Sequence, residues 1–254
     1  MDESFVELEG KGSLLLIADH ASNHVPGDIH LGVAPHLLHQ HVAIDIGVDP
    51  LARALCARLG CPAILGDISR LVTDLNREED AAGLVPVVSD GHDIPGNAAL
   101  DEAGRAARID RFWRPYHARV ADRVRMLAPD MLISLHSFTP RLATSDVPRP
   151  WEVGILYNQD ERAARVAIPL LEAAGVVTGD NQPYSGRLLN ATMNRHGEAN
   201  GIPYLGIEVR QDLIDTPAGV ARWAEILAPV IAKTLTGLRE AAQSAKDADG
   251  KRAR

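Results

Sequence analysis

The chain has 254 residues, of which 46% are hydrophobic and 24% charged, and its formal net charge is −8. These values are typical of a soluble globular protein that can bury a core. An acidic chain without a basic block argues against nucleic acid as a partner, and no apolar run approaches the roughly 20 residues of a membrane span. The acidic start Met1-Asp2-Glu3 lacks the features of a secretory signal. Cys56 and Cys61 do not form a CxxC pair, so we expect a cytoplasmic protein with reduced cysteines.

Apolar runs alternate with amphipathic stretches along the first half of the chain, which predicts an α/β fold with a mainly parallel sheet. Residues 14–17 are predicted to form a buried strand that ends at Asp19 and His20. A short helix over 35–41 precedes a helix that is capped by Asp49 and stops at Gly60. Strands are predicted over 62–65 and 68–75, followed by a long loop over 81–97 and a helix over 98–127 that Pro115 should kink or split.

The second half continues the same alternation. We predict strands over 131–135, 153–157 and 204–209, a loop over 139–150, and helices over 161–174, 191–199 and 217–238. Residues 1–241 contain neither an internal repeat nor a clear linker, so they are expected to form a single domain. Residues 242–254 are polar and are expected to form a disordered tail.

Two predicted strands deliver a histidine at their carboxyl ends, His20 and His136, where ligands bind in an open parallel sheet. Imidazole is the commonest zinc ligand, although a histidine there can also carry protons or cap a loop. Two histidines need a third protein ligand. Asp45 is the strongest candidate because a carboxylate binds zinc better than an amide, but Asn23 and His24 stay open.

Three further polar groups have both a functional and a structural interpretation. Glu208 lies on an apolar strand, where it is either a general base tuned by burial and a nearby metal, or the partner of Arg210 or another arginine in a buried ion pair. Arg70 and Arg77 either converge on a substrate carboxylate or are ordinary surface charges. A third polar group contains Arg187, Arg195 and His196.

The order of these motifs resembles the N-formylglutamate amidohydrolase family over residues 14–210, and it is also similar to zinc carboxypeptidases. The segments that carry the resemblance are His20-Ala21, Asp45, Ser69-Arg70, Asp74-Leu75-Asn76-Arg77, His136-Ser137, Gly186-Arg187, Arg195-His196-Gly197 and Glu208. The resemblance implies a three-layer phosphorylase/hydrolase-like fold, in which a mixed, mainly parallel sheet carries helices on both faces.

The resemblance also implies an activity and its residues. His20, Asp45 and His136 would hold Zn²⁺ or another divalent metal, and Glu208 would be the catalytic base. A small-molecule carboxylate would be bound by five residues: Arg70, Asn76, Arg77, Arg187 and His196. The expected reaction is hydrolysis of the amide bond of an N-acylated amino acid such as N-formylglutamate. The alternatives are a zinc peptidase or amidase that acts on a peptide or cell-wall fragment, and a non-catalytic protein that binds a small acidic ligand.

Overall fold

The computed structural model describes residues 4–252, with side chains described to residue 248. In chain order the strands are β1 (Phe5–Leu8), β2 (Leu14–Ala18), β3 (Ala63–Gly66), β4 (Val88–Ser89), β5 (His92–Asp93), β6 (Met131–Phe138), β7 (Val153–Leu156), β8 (Thr178–Asp180) and β9 (Tyr204–Arg210). Seven of them form one mixed sheet in the order β1-β3-β2-β6-β9-β7-β8, and β4 pairs with β5 in a separate hairpin.

The middle of the sheet is parallel. Strands β3, β2, β6 and β9 run in the same direction, whereas β1 is antiparallel to β3 and β7 is antiparallel to β9. Every residue of β2 and β6 is buried, as expected for strands that are covered on both faces. The carboxyl ends of β2, β6 and β9 therefore meet at one edge, and β2 and β6 deliver His20 and His136 there.

The helices surround this sheet and make the α/β architecture that the sequence predicts. Their bounds are α1 (Val48–Leu59), α2 (Pro95–Ala98), α3 (Glu102–Arg108), α4 (Arg114–Leu127), α5 (Arg162–Ala173), α6 (Ala191–His196) and α7 (Pro217–Arg252). Helix α7 packs against both α1 and α5, whereas α4 packs against β2 and α6. Their buried apolar side chains and those of the sheet form one continuous core.

The predicted strand over 68–75 is wrong. This segment is a series of turns, although its apolar side chains Ile68, Leu71 and Leu75 are fully buried. Hydrogen bonds to neighbouring loops replace a sheet ladder: the Ser69 backbone N–H donates to His24 and its hydroxyl to Ala43. A short apolar run cannot by itself distinguish a strand from a buried turn.

The predicted helix over 98–127 is broken, as the proline within it required. A π-helical turn, Ile109–Trp113, separates α3 from α4, and Pro115 follows in the first turn of α4. Proline has no N–H to donate and its ring crowds the preceding turn, which favours such a bulge. Asp49 is not the N-cap of α1. The helix begins at Val48, so Asp49 lies within its first turn, and the N-cap is Gly47 with φ 81°.

The last helix is longer than expected. We expected a disordered tail over 242–254, whereas the structure continues α7 to Arg252, and residues 253–254 lie outside the described part of the chain. Among the described residues, no helix combines the length and apolar character that a membrane crossing requires.

Candidate metal centre and active-site cleft

His20, Asp45 and His136 lie together at the carboxyl edge of the sheet, with one ligand atom from each residue within 4.8 Å of the others. All three side chains are buried. The Nδ1 atoms of both histidines face the same carboxylate oxygen, since Asp45 Oδ2 lies 2.8 Å from His136 Nδ1 and 3.4 Å from His20 Nδ1. The two imidazole rings are 5.1 Å apart between centroids. This geometry leaves two imidazole nitrogens and a carboxylate converging on one point.

The opposite nitrogen of each imidazole faces a second buried carboxylate. His20 Nε2 donates to Asp74 Oδ1 at 2.7 Å, and His136 Nε2 lies 3.2 Å from Asp19 Oδ2. A carboxylate behind a histidine fixes the orientation of the ring and the nitrogen that stays free of a proton, which is the usual support for a metal-binding imidazole. In the sequence, Asp19 ends a predicted strand and Asp74 belongs to one of the motifs, but no pattern there predicts this role for either residue.

The backbone around Asp45 explains why this residue joins the histidines. The Asp45 N–H donates to the carbonyl of His20 at 3.0 Å, and the hydroxyl of Ser137 donates to the carbonyl of Ile46 at 2.9 Å. These bonds join the loop before α1 to the ends of β2 and β6. The alternative ligands point elsewhere, because Asn23 donates to the carbonyl of Leu38 and His24 is exposed.

The charges in this cluster depend strongly on one another. Burial alone would raise the pKa of the Asp45 carboxyl, but Arg70 and the two histidines hold it well below its ordinary value. Burial works against the positive form of His136, yet Asp19 and Asp45 together raise its pKa well above the ordinary value. The site therefore has ionised carboxylates that favour positive charge at its centre.

Arg70 already places a positive group at this point. Its Nη2 contacts both His20 Nδ1 and Asp45 Oδ1, while its Nε is buried without a hydrogen-bond partner among the described residues. Both contacted residues, His20 and Asp45, belong to the cluster that could hold a metal ion. Arg70 thus lies against two of the three candidate metal ligands, whereas the sequence predicts a role for it in substrate binding.

Glu208 lies beside the cluster and is 6% exposed. Its Oε2 atom is buried and has no hydrogen-bond partner among the residues that the structure describes. Burial raises the pKa of this carboxyl to about 7, although His136 and the nearby Tyr184 hydroxyl oppose the shift. The alternative of a buried ion pair at Glu208 is not observed: Arg210 pairs with Asp212 at 2.8 Å, and among the described residues no other arginine pairs with Glu208.

Arg77 and Asn76 line the same cleft as the cluster. The Arg77 side chain is 39% exposed and its Nε lies 3.4 Å from Asp74 Oδ2, so most of the guanidinium can reach a ligand. Asn76 also has a structural contact, since its Oδ1 accepts from the backbone N–H of Thr192 at 3.0 Å.

The structure does not bring Arg187 and His196 into this cleft. The side chain of Arg187 is exposed and does not line the cavity. His196 is buried behind the site, where its Nε2 lies 2.9 Å from Nδ1 of His117. Their predicted role in substrate binding stays a prediction.

The cleft is a cavity of about 240 Å³. Seven residues that line it were predicted neither as site residues nor within the motifs: His41, Phe138, Thr139, Leu142, Arg149, Tyr184 and Leu189. Leu142 and Arg149 come from the predicted loop over 139–150, whose length was the only sequence signal. Tyr184 comes from a polar turn and lies next to Arg149, whose guanidinium carbon is 5.7 Å from the tyrosine ring centroid. No pattern in the sequence singled out His41 or Tyr184.

Comparisons with known proteins identify a family and solved structures that this chain resembles. A family model described as "FGase: N-formylglutamate amidohydrolase" matches residues 12–215. The crystal structure of a gene product from Agrobacterium tumefaciens is similar, with 31% identity, a TM-score of 0.87, and coverage of 94% of this chain and 97% of that one. The crystal structure of N-formylglutamate amidohydrolase from Ralstonia eutropha has 22% identity, a TM-score of 0.75, and coverage of 96% and 100%. No curated protein matches the chain.

Proposed function

This chain belongs to the N-formylglutamate amidohydrolase family, and we propose that it is a zinc-dependent enzyme that hydrolyses the amide bond of a small N-acyl amino acid, N-formylglutamate being the first candidate. The observation that carries the proposal is the convergence of His20, Asp45 and His136 at one edge of the cavity, which His20 and Glu208 line. None of these residues is a neighbour of another in sequence, and the fold brings them to one edge of the sheet.

The residues fit a divalent cation. Two imidazoles and a carboxylate are a donor set that Zn²⁺ prefers, and catalytic zinc sites have three protein ligands. Asp74 and Asp19 support the two imidazoles from behind, so the Nδ1 atoms that face Asp45 are the ones that would bind a metal, His20 Nδ1 in place of its contact with Arg70. When bound, the cation supplies Lewis acidity, which lowers the pKa of water and polarises a carbonyl.

Glu208 is the residue that moves the proton. Its buried Oε2 atom has no partner among the described residues, so this oxygen can accept a proton from the attacking water. A carboxyl whose pKa is about 7 can both take up that proton and return it near neutral pH. Glu208 then delivers the proton to the leaving nitrogen as the carbon–nitrogen bond breaks, and the products are formate and a free amino group.

Arg77, with Asn76, is placed to bind the carboxylate of the substrate. The guanidinium is a planar donor that suits a carboxylate, and both residues line the cavity beside the metal candidates. Arg70 lies next to Asp45 and His20, from where its guanidinium can polarise the scissile carbonyl or hold the substrate. A substrate held at its carboxylate would present its amide to Glu208.

The size of the cavity favours a small substrate over a peptide. About 240 Å³ is less than the roughly 300–1,000 Å³ of a pocket for a drug-sized ligand. Leu142 and Arg149 are among the residues that limit this space. A non-catalytic binding protein would have no use for a buried carboxyl such as Glu208 beside two supported imidazoles.

A substrate panel with metal analysis tests the proposal. Zinc-loaded protein is given N-formyl-L-glutamate, N-acetyl-L-glutamate and a short peptide, and released formate, acetate or amine is measured. We expect stoichiometric zinc and fastest turnover of the N-formyl compound. Preferred cleavage of the peptide would support the peptidase alternative. Tight binding of the acidic compounds without turnover or zinc would support the binding protein.

A further inference from the structure

Asp90 occupies an unusual position at the tip of the β4–β5 hairpin. Asp90 and Gly91 form its two-residue turn, with φ of 40° and 80°. An Asp-Gly pair with two positive φ angles is the preferred turn for such a hairpin. A turn aspartate is normally exposed, yet the Asp90 side chain is only 6% exposed. The turn chemistry alone therefore does not account for where this carboxylate lies.

The Asp90 carboxylate accepts four hydrogen bonds from two other parts of the chain. His41 Nε2 donates to it at 2.9 Å, and so does the backbone N–H of Ala143, also at 2.9 Å. Thr144 donates twice, from its N–H at 3.2 Å and from its hydroxyl at 2.7 Å. The cost of burying the carboxyl raises its pKa, but these donors reverse the effect and lower it overall.

We call residues 139–150 the roof segment. Its base is closed by a hydrogen bond from the Arg149 N–H to the Pro140 carbonyl at 3.2 Å. Among the described residues, every hydrogen bond that residues 140–149 make outside the roof segment ends on Asp90. One carboxylate thus fixes the tip of this segment to the rest of the molecule.

The roof segment contributes Leu142 and Arg149 to the cleft. Arg149 donates to the Thr139 carbonyl at 3.2 Å and lies over Tyr184, and it has no ion pair within the described part of the chain. It is therefore a cation that lines the cavity without a protein carboxylate to neutralise it. Its position depends on how the roof segment is held.

We propose that Asp90 is a positioning residue for substrate binding, which holds the roof segment closed so that Arg149 and Leu142 line the cleft. Asp90 itself does not line the cavity. Its effect on the substrate therefore passes through the roof segment and not through a direct contact.

Limited proteolysis tests the closure without any substrate. The roof segment contains one exposed trypsin site, the Arg141–Leu142 bond, because Arg149 is followed by Pro150. In Asp90→Ala we expect cleavage after Arg141 to be about tenfold faster than in the wild type, since several charge-assisted hydrogen bonds are lost. The matched control is Asp93→Ala, because Asp93 is exposed on β5 and its carboxylate makes no hydrogen bond or ion pair among the described residues. Equal cleavage rates in all three proteins would overturn the proposal.

Steady-state kinetics tests the consequence for binding, and this arm rests on the proposed function. For N-formyl-L-glutamate we expect Asp90→Ala to raise KM about tenfold and to change kcat by less than about twofold. If Asp90 acts through Arg149, the double variant Asp90→Ala/Arg149→Gln should have about the KM of Arg149→Gln alone. If the KM of the double variant instead rises by the product of the two single factors, Asp90 does not act through Arg149.

The two arms separate the possible failures. Absence of turnover in the wild type would count against the proposed function, whereas the cleavage rate after Arg141 would still test the closure. Should Asp90→Ala not fold, Thr144→Val removes only the hydroxyl donor and should shift the cleavage rate and KM in the same direction by a smaller factor. A Thr144→Val protein identical to the wild type in both measurements would reject the role of this contact.

Discussion

His136 and Glu208 are directly paired across the parallel strands β6 and β9. Paired residues on neighbouring strands point to the same face of the sheet, so a candidate metal ligand and a candidate base lie side by side. Their spacing is set by the ladder of backbone hydrogen bonds and not by a loop. A site built on adjacent core strands is rigid, which is what a reaction that depends on exact distances requires.

Substitution of His136 tests the metal centre. In His136→Ala we expect loss of bound zinc and a fall in activity of more than about a hundredfold, because two protein ligands hold zinc poorly. Zinc content is measured by mass spectrometry after removal of loosely bound metal. His24→Ala is the control, since His24 is exposed and away from the cluster. Zinc at wild-type stoichiometry in His136→Ala would refute the ligand assignment.

Glu208 should be separable from metal binding. Glu208→Gln keeps the shape of the side chain but cannot accept the proton, so we expect kcat to fall about 10²–10⁴-fold with the zinc content unchanged. Turnover and metal content are measured on the same preparation. A variant that retains full turnover, or one that loses its zinc, would show that Glu208 has a different role.

The sequence predicts the core strands that position the candidate site residues better than it predicts the edge strands and the turns. The buried strands that end at His20 and His136 were found because parallel core strands are continuous apolar runs. The short edge strands β1 and β8 were missed, since a few half-exposed residues have no clear period. The turns around Arg70 contain a run of apolar residues because their side chains are as buried as those of a core strand. Such a run has the sequence pattern of a strand.

The sequence predicts that three candidate ligands meet at one edge of the sheet, but not which carboxylates lie behind them. His20, Asp45 and His136 were named from residue chemistry and motif order, and the structure places them together. The carboxylates of Asp19 and Asp74 support them through contacts between segments that are far apart in the chain. Such contacts depend on strand order, which a single sequence does not encode in any local pattern.

Arg77 should act in binding more than in catalysis. It lines the cleft, and its side chain is 39% exposed although its Nε lies 3.4 Å from Asp74. For Arg77→Gln we expect KM for N-formyl-L-glutamate to rise about 10- to 100-fold with a smaller change in kcat, as for a lost hydrogen bond to a charged group. Arg187→Gln is the comparison, because the Arg187 side chain is exposed outside the cleft. A larger effect at Arg187 would move the carboxylate site.

The buried pair His117 and His196 makes a prediction about stability at acid pH. His117 Nε2 donates to the Leu75 carbonyl at 2.9 Å, so its Nδ1 is the acceptor that faces His196 Nε2. His117 is therefore neutral in this arrangement. Burial lowers the pKa of His117 to about 4 and that of His196 to about 3, so both rings resist protonation in the folded protein. Protonation of His117 at Nδ1 would remove the acceptor of the hydrogen bond from His196, and a charge on either ring would be buried.

The sign of the effect follows from the unfolded state. Unfolded histidine has a pKa of about 6.5, so between about pH 6.5 and pH 4 the unfolded chain binds protons that the folded protein does not. The pair thus favours the folded state fully above about pH 6.5, and this contribution is lost as the pH falls towards 4. The loss is on the order of 1.4 kcal/mol per pH unit for each ring.

Urea unfolding of the wild type between pH 7.5 and 4.5 should show this loss as a fall in the free energy of unfolding. In His117→Gln the free energy of unfolding should depend less steeply on pH. His36→Gln, at an exposed histidine, should keep the wild-type slope. An unchanged slope in His117→Gln would mean that the pair accepts protons in the folded protein.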